Sequence, residues 1–186
     1  MARSSTIYKA ELELADMDRE YYATLSLTIA CHPSETVERM MVRLLAYALF
    51  AGEGLEFGGG VSTQGEPDLW QKDLTGAIQL WLELGHPEER ALRRASGRAA
   101  RVVVLCYGGR GSQLWWSQNE NQLANIPGLS VLEVPEDMVR ELATFAGRNM
   151  RLQMNIQDET ITIFDDQERM LNIELVQHLG QRRPSS

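Results

Sequence analysis

Cysteine, lysine and long apolar runs are all scarce in this chain, and each shortage narrows what it can be. The two cysteines, Cys31 and Cys106, are isolated, with no Cys-x-x-Cys and no cysteine cluster beside the three histidines. There is thus no disulfide framework or metal-binding spacing to read, and two buried free thiols are expected. No apolar run approaches the ~18 residues of a membrane span. The opening MARSSTIYKAELEL passes into strand-like alternation without an apolar signal core, so a cytoplasmic chain with no membrane partner is expected. Positive charge is also short: 18 basic residues face 26 acidic ones, for a net charge of −8. That balance disfavours a general nucleic-acid coat protein, which attracts phosphate by being basic overall. A local basic patch or a bridging metal remains open to an acidic protein.

What is present reads as an ordinary globular chain, 186 residues long, 44% hydrophobic and without internal repeats. That length suits a single domain over residues 1–186, with a sizeable core. The tail QRRPSS, 181–186, is expected to fray, and the domain is expected to be a monomer. Ala10, Leu12 and Leu14 alternate with Lys9, Glu11 and Glu13, and Tyr21 to Ile29 alternates likewise, predicting an N-terminal hairpin. Ser34 is placed to cap a helix, with Glu35 and Glu38 in its first turn. Val37, Met40, Met41, Leu44, Leu45 and Ala48 make its core stripe.

Further along, RVVVLCY (101–107) is a near-continuous apolar run, as in a central strand covered on both faces. A Trp-rich segment follows and reads as helical; Trp115 and Trp116 would be a partner surface if exposed and core if buried. Leu129 to Val134 reads as a strand, and Pro135 as the first residue of a helix running to Gly147. Alternation resumes from Met150 to Leu175 as a C-terminal meander. The fold class is α/β of mixed α+β character: one compact domain with a mixed central sheet and flanking N- and C-terminal strands.

The chemistry concentrates in residues 65–99. Asp73-Leu74-Thr75-Gly76 carries a type I turn signature between two strand-like runs. With an even loop, Glu66, Asp68, Trp70 and Lys72 share a face with Gln79, Trp81 and Glu83. Centring the turn on Thr75-Gly76 sets Asp68 opposite Glu83; centring it on Leu74-Thr75 sets Glu66 there instead. Opposed Cβ atoms lie about 4.5–5.5 Å apart. Two carboxylates so close call for a divalent ion, an arginine or a proton. Set against this, Pro-Asp is a common turn dipeptide, and hairpin acids usually face solvent. His86-Pro87-Glu88 starts a helix with Pro87 at its first position, and Arg90, Arg94 and Arg98 stand four apart after it. Such a stripe is most often a solvated face, yet it begins where the Glu83 strand ends and could meet the carboxylates or a phosphate.

The helix HPSETVERMMVRLLAYALF, the EPDLW stretch, the Asp73 to Gly76 turn, WLELGHP and the LWW segment together resemble the YaeQ family of small bacterial proteins over essentially the whole length. The resemblance implies a compact variant of the PD-(D/E)XK restriction-endonuclease-like fold: a helix, an antiparallel three-strand meander, a crossover helix and a further strand. It implies Asp68 and Glu83 as metal-binding acids, with Glu66 a rival for the first and Glu38 as the helix acid. The motif lysine falls on Gly85. Lys72, Arg90 or Arg94 would have to replace it. In such nucleases the acids hold Mg²⁺ or Mn²⁺, which activates water and clamps the phosphate.

Two functions follow. One is a divalent-metal-dependent phosphodiesterase or nuclease acting on nucleic acid, with Asp68, Glu83, Lys72 and Arg94 carrying the reaction and Arg90, Arg94 and Arg98 holding phosphate. The other is a non-catalytic nuclease-like module that binds nucleic acid or a protein in a regulatory role, linked through the family to transcription elongation.

Overall fold

In a computed structural model, described over residues 4–59 and 63–181, the chain forms one mixed α/β domain built on two sheets. Most of the tail expected to fray, 182–186, lies outside the described residues. Strands β1 (Thr6–Asp16) and β2 (Tyr21–Cys31) make the expected hairpin, with Ala10, Leu12 and Leu14 buried. The C-terminal meander consists of β8 (Asn149–Gln157), β9 (Thr160–Asp165) and β10 (Met170–Glu174). It does not join the central sheet but packs on the core it shares with it. β8 pairs in parallel with β1, giving a separate five-stranded sheet in the order β10-β9-β8-β1-β2. Only β11 (Val176–Leu179) leaves it, to pair with a strand of the other sheet.

That other sheet is central and six-stranded, in the order β11-β7-β6-β5-β4-β3. Its strands β3 (Leu55–Phe57), β4 (Leu69–Lys72) and β5 (Ile78–Leu84) form an antiparallel meander. Helix α2 (Glu89–Ser96) crosses to β6 (Ala99–Cys106), and α3 (Arg110–Leu123) crosses to β7 (Leu129–Glu133). β5, β6 and β7 run parallel, and these crossovers supply the long connections that parallel pairing needs. Alternation along the strands sorts two cores. Leu80, Leu82, Leu84, Val103 and Leu105 join the core shared with the first sheet. Trp81, Val102, Val104 and Cys106 join the core beneath α2 and α3. The continuous apolar run of β6 thus has cover on both faces.

Helix α1 (Val37–Phe50) lies in the core between the sheets, together with α4 (Glu136–Ala143). Burial of leucines such as Leu44 and Leu45 stabilises this layer by about 1.5–3 kcal/mol each. Several helix starts differ from expectation. Thr36 caps α1 through its side chain, while Ser34 hydrogen-bonds His32 outside the helix. Val37 is exposed. Pro87 precedes α2, whose cap is Glu88, and Pro135 is the cap of α4 rather than its first residue. Among the described residues, no helix is long and apolar enough to cross a membrane.

Candidate functional site

The β4–β5 hairpin positions the acid pair. Asp73 accepts the Gly76 N–H with its carbonyl, and its Oδ1 accepts the Thr75 and Ala77 N–H groups, closing the turn. Trp70 faces Trp81 and Leu69 faces Leu82. Continued by one residue, this register brings Asp68 opposite Glu83; it does so through a bulge at Gln71/Lys72 that sets Lys72 opposite Ile78, with an odd loop in place of the even one expected. The Asp68 N–H donates to the Leu82 carbonyl at 3.0 Å, anchoring the residue beyond the end of β4.

Arginine, not metal spacing, governs what Asp68 does. Its carboxylate is buried, and both oxygens are engaged: Oδ1 by Arg39 Nη2 at 2.6 Å, Oδ2 by the Leu84 N–H at 2.8 Å. Arg39 comes from α1 and also holds Glu35 at 3.1 Å. Arg43, one turn on, bonds both Glu35 oxygens and the Ala30 carbonyl. Burial works against the Arg39 charge, but the neighbouring Asp68, by charge and hydrogen bond, more than offsets it and raises the guanidinium above its usual range. These groups line a cavity of about 180 Å³ beside Phe57, Gly58 and Gly59. Gly58 is required there: a Cβ would lie 2.1 Å from the Pro67 carbonyl oxygen.

Glu83 is neutralised differently. Burial pushes its carboxyl up to about 7; the Trp81 indole N–H, donating at 2.8 Å, opposes this, the Asp68 charge reinforces it, and Arg39 opposes it. Its proton is therefore held far above the ordinary carboxylate range. Tyr107 belongs to the same electrostatic group: burial raises its phenol, Arg39 lowers it, and Asp68, Glu35 and Glu38 raise it.

The other sequence candidates lie apart from this pair. Glu66 turns to accept the Gly59 N–H at 2.8 Å. Glu38 is exposed on the first turn of α1. Lys72 stands at the far end of β4, roughly 13 Å from Asp68 by strand rise, with its ammonium 3.6 Å from the Trp70 ring centre. Arg98 lies 4.8 Å over the Trp81 ring and donates to the Gly65 carbonyl. Trp70 and Trp81 meet edge to face at 6.1 Å. Lys72 and Arg98 thus flank two touching rings, the partly exposed Trp70 and the buried Trp81, whose indole bonds Glu83. Arg90 and Arg94 are exposed on α2. Gly85, at the motif-lysine position, has φ +88°, a left-handed conformation in which a lysine would be strained.

Sequence reading missed Arg39, Arg43, Glu35 and Tyr107 as site residues. The signal available was Glu35, Arg39 and Arg43 at four-residue steps, a charged row along a helix with ten buried residues.

The fold and site define a class: a small α/β domain with paired acids at the edge of a meander, one bound by an arginine and the other pushed well above the usual carboxylate range by burial. The family model described as YaeQ protein matches residues 1–175, and the chain belongs to that family. It is 42% identical over 170 residues to "Uncharacterized protein YaeQ" of Escherichia coli (strain K12), covering 91% of this chain and 94% of that one. The protein of that name from Salmonella typhi is 42% identical over 165 residues, covering 89% and 91%. The crystal structure of YaeQ protein from Xanthomonas axonopodis pv. citri superposes with a TM-score of 0.92 at 42% identity, covering 96% of this chain and all of that one. That from Pseudomonas syringae gives 0.91 at 38%, covering 96% and 98%.

Proposed function

We propose that this protein is a non-catalytic binding module of nuclease-like build that holds single-stranded nucleic acid. The order α1, β3-β4-β5 meander, α2, β6 supports the nuclease-like build. The observation that carries the non-catalytic reading is the engagement of both Asp68 oxygens, by Arg39 and by the Leu84 N–H. Glu83 offers one oxygen to the Trp81 indole and keeps the other, but a Mg²⁺ bridging the pair would have to displace the Arg39 guanidinium from Asp68. The acids as arranged thus favour the arginine over the ion, and Gly85 supplies no lysine.

The ligand is argued from the other side of Glu83. Lys72 and Arg98 flank the Trp70–Trp81 pair, of which Trp81 is buried and Trp70 partly exposed, and Arg94 and Arg90 add exposed cations on α2. Cations tracking phosphates beside aromatic groups are the ordinary chemistry of single-strand binding. Binding without cleavage suits a regulatory role. A second reading, a Mg²⁺- or Mn²⁺-dependent phosphodiesterase, draws on one observation, the Asp68–Glu83 opposition, and requires Arg39 to leave Asp68.

The test is fluorescence anisotropy with labelled single-stranded, duplex and structured oligonucleotides, followed by a cleavage assay with Mg²⁺ and Mn²⁺. Salt-sensitive binding to single strands, weakened by Arg90→Glu with Arg94→Glu and unaccompanied by cleavage, is the expected result. Metal-dependent cleavage abolished by Glu83→Ala would establish the phosphodiesterase instead, and absence of any binding would overturn both.

A further inference from the structure

A second group of chemistry-bearing side chains sits at the carboxyl ends of the central parallel strands, where open α/β sheets commonly bind their ligands. Cys106 ends β6 and Glu133 ends β7, and the parallel register makes them direct partners. β11 runs along the outer side of β7 with Val176 opposite Glu133 and Gln177 opposite Leu132. The register then shifts, with Leu179 opposite Val131. The shift falls at His178, and an irregularity of this kind re-aims the side chain at its centre. The His178 Nε2 comes to 2.6 Å from Glu133 Oε2.

One donor atom each from Cys106, Glu133 and His178 lies within 4.8 Å of the other two, the one such trio found among the described residues. Cys106 and Glu133 are buried, and Trp116 of α3 stacks on His178 with ring centres 5.1 Å apart. Behind the trio, the buried Ser112 hydroxyl hydrogen-bonds Cys106 and lies 2.7 Å from His86 Nε2. His86 itself stacks on Trp115 at 5.7 Å. Trp116 thus covers His178, Ser112 links Cys106 to His86, and the Cys106 thiol donates to the Leu132 carbonyl at 3.2 Å.

We propose that Cys106, Glu133 and His178 bind a first-row divalent cation, with Zn²⁺ the best match. A thiolate, an imidazole and a carboxylate are the donors Zn²⁺ takes, and three protein ligands leave a fourth position for water. Bonds of about 2.0–2.3 Å in tetrahedral array separate ligand atoms by roughly 3.3–3.8 Å, inside the observed 4.8 Å envelope. The Glu133–His178 contact has to open by about 1 Å or less to reach that spacing. Charge also balances. With Cys106 bound as a thiolate and Glu133 as a carboxylate, the two charges of the ion are offset in a buried place. Softness separates this site from the Asp68–Glu83 pair, whose all-oxygen donors would suit a harder ion.

The untagged full chain, stripped with a chelator, is titrated with Co²⁺ as a spectroscopic probe and with Zn²⁺ against a chromophoric competitor. One equivalent per chain is expected, with a thiolate-to-cobalt charge-transfer band. That band disappears in Cys106→Ser. His178→Gln weakens Zn²⁺ binding by at least about tenfold, the effect of losing even an outer partner of a metal site. Cooperative thermal unfolding of each variant confirms that it is folded. Zn²⁺ raises the midpoint of the wild type and not that of folded His178→Gln. Absence of stoichiometric binding overturns the proposal, as does binding without the charge-transfer band or unchanged affinity in both variants. A purely structural Glu133–His178 pair would give the first of these results, and an ion bound elsewhere on the chain the last.

Discussion

The Arg39 guanidinium reaches from α1 to within 2.6 Å of the Asp68 carboxylate, whose second oxygen accepts the Leu84 N–H. Helix and hairpin are thereby joined through a buried ion pair, with the helix side extended to Glu35 and Arg43. A buried pair of this kind adds little over a well-packed apolar pair, but removing one partner strands the other charge.

Arg39→Ala should accordingly destabilise the fold by about 3–5 kcal/mol, the cost of an uncompensated buried carboxylate. The double variant Arg39→Met with Asp68→Asn should recover more than half of that loss. Urea unfolding of the wild type, both single variants and the double variant measures the coupling.

Glu83 makes stability depend on pH in a definite direction. Its carboxyl titrates near 4.4 in an unfolded chain, to within about 0.2, and at about 7 in the fold. A raised folded value means the protonated form is favoured by folding. Its contribution is complete below the unfolded value and is lost as pH rises through about 7. Glu83→Gln should match the wild type below about pH 4 and exceed it by about 3–4 kcal/mol near pH 8.5. Unfolding curves across that range provide the check, and equal stabilities at the alkaline end would count against a buried, protonated Glu83.

Gly85 holds its position for a backbone reason. Its φ of +88° ends β5 with the N–H on the Leu105 carbonyl at 3.1 Å, and the nearest atom to an added Cβ, on Tyr107, is 4.0 Å away. Gly85→Ala has room for its methyl group and suffers only conformational strain, so it should lose about 1–2 kcal/mol. Thermal denaturation reads this directly; a neutral result would mean the turn relaxes.

The arginine row makes a quantitative prediction about salt. Single-strand binding through Arg90 and Arg94 should have a log–log salt slope that falls in magnitude by about 0.7 for each arginine neutralised. Arg90→Gln and Arg94→Gln, measured separately and together, should lower the slope stepwise.

Local pattern carried the sequence reading a long way, and long-range pairing defined its limit. The N-terminal hairpin and the double-faced burial of Val102 to Cys106 follow from alternation, whereas the Asp68–Glu83 opposition, one of two registers left open, is reached through a bulge that sets Lys72 opposite Ile78. The separate five-stranded sheet was not legible, because the parallel pairing of Leu12 with Leu152 joins opposite ends of the chain. Arg39 was missed for a similar reason. Three charges at helical spacing show that a row exists, but not that one of them reaches Asp68 across the core. Cys106 and His178 gave no signal either, since an irregularity in β11 brings them together. Ser34 misled as a cap because His32, two residues before it, takes its hydroxyl.

Isothermal titration calorimetry of the wild type and Asp68→Asn with Mg²⁺, in chelator-treated untagged protein, tests most directly whether Arg39 has taken the place of an ion. If Arg39 neutralises Asp68, both proteins give the same non-saturating trace. Saturable binding of one Mg²⁺ per chain, lost in Asp68→Asn, would contradict that account and restore the acid pair as a metal centre.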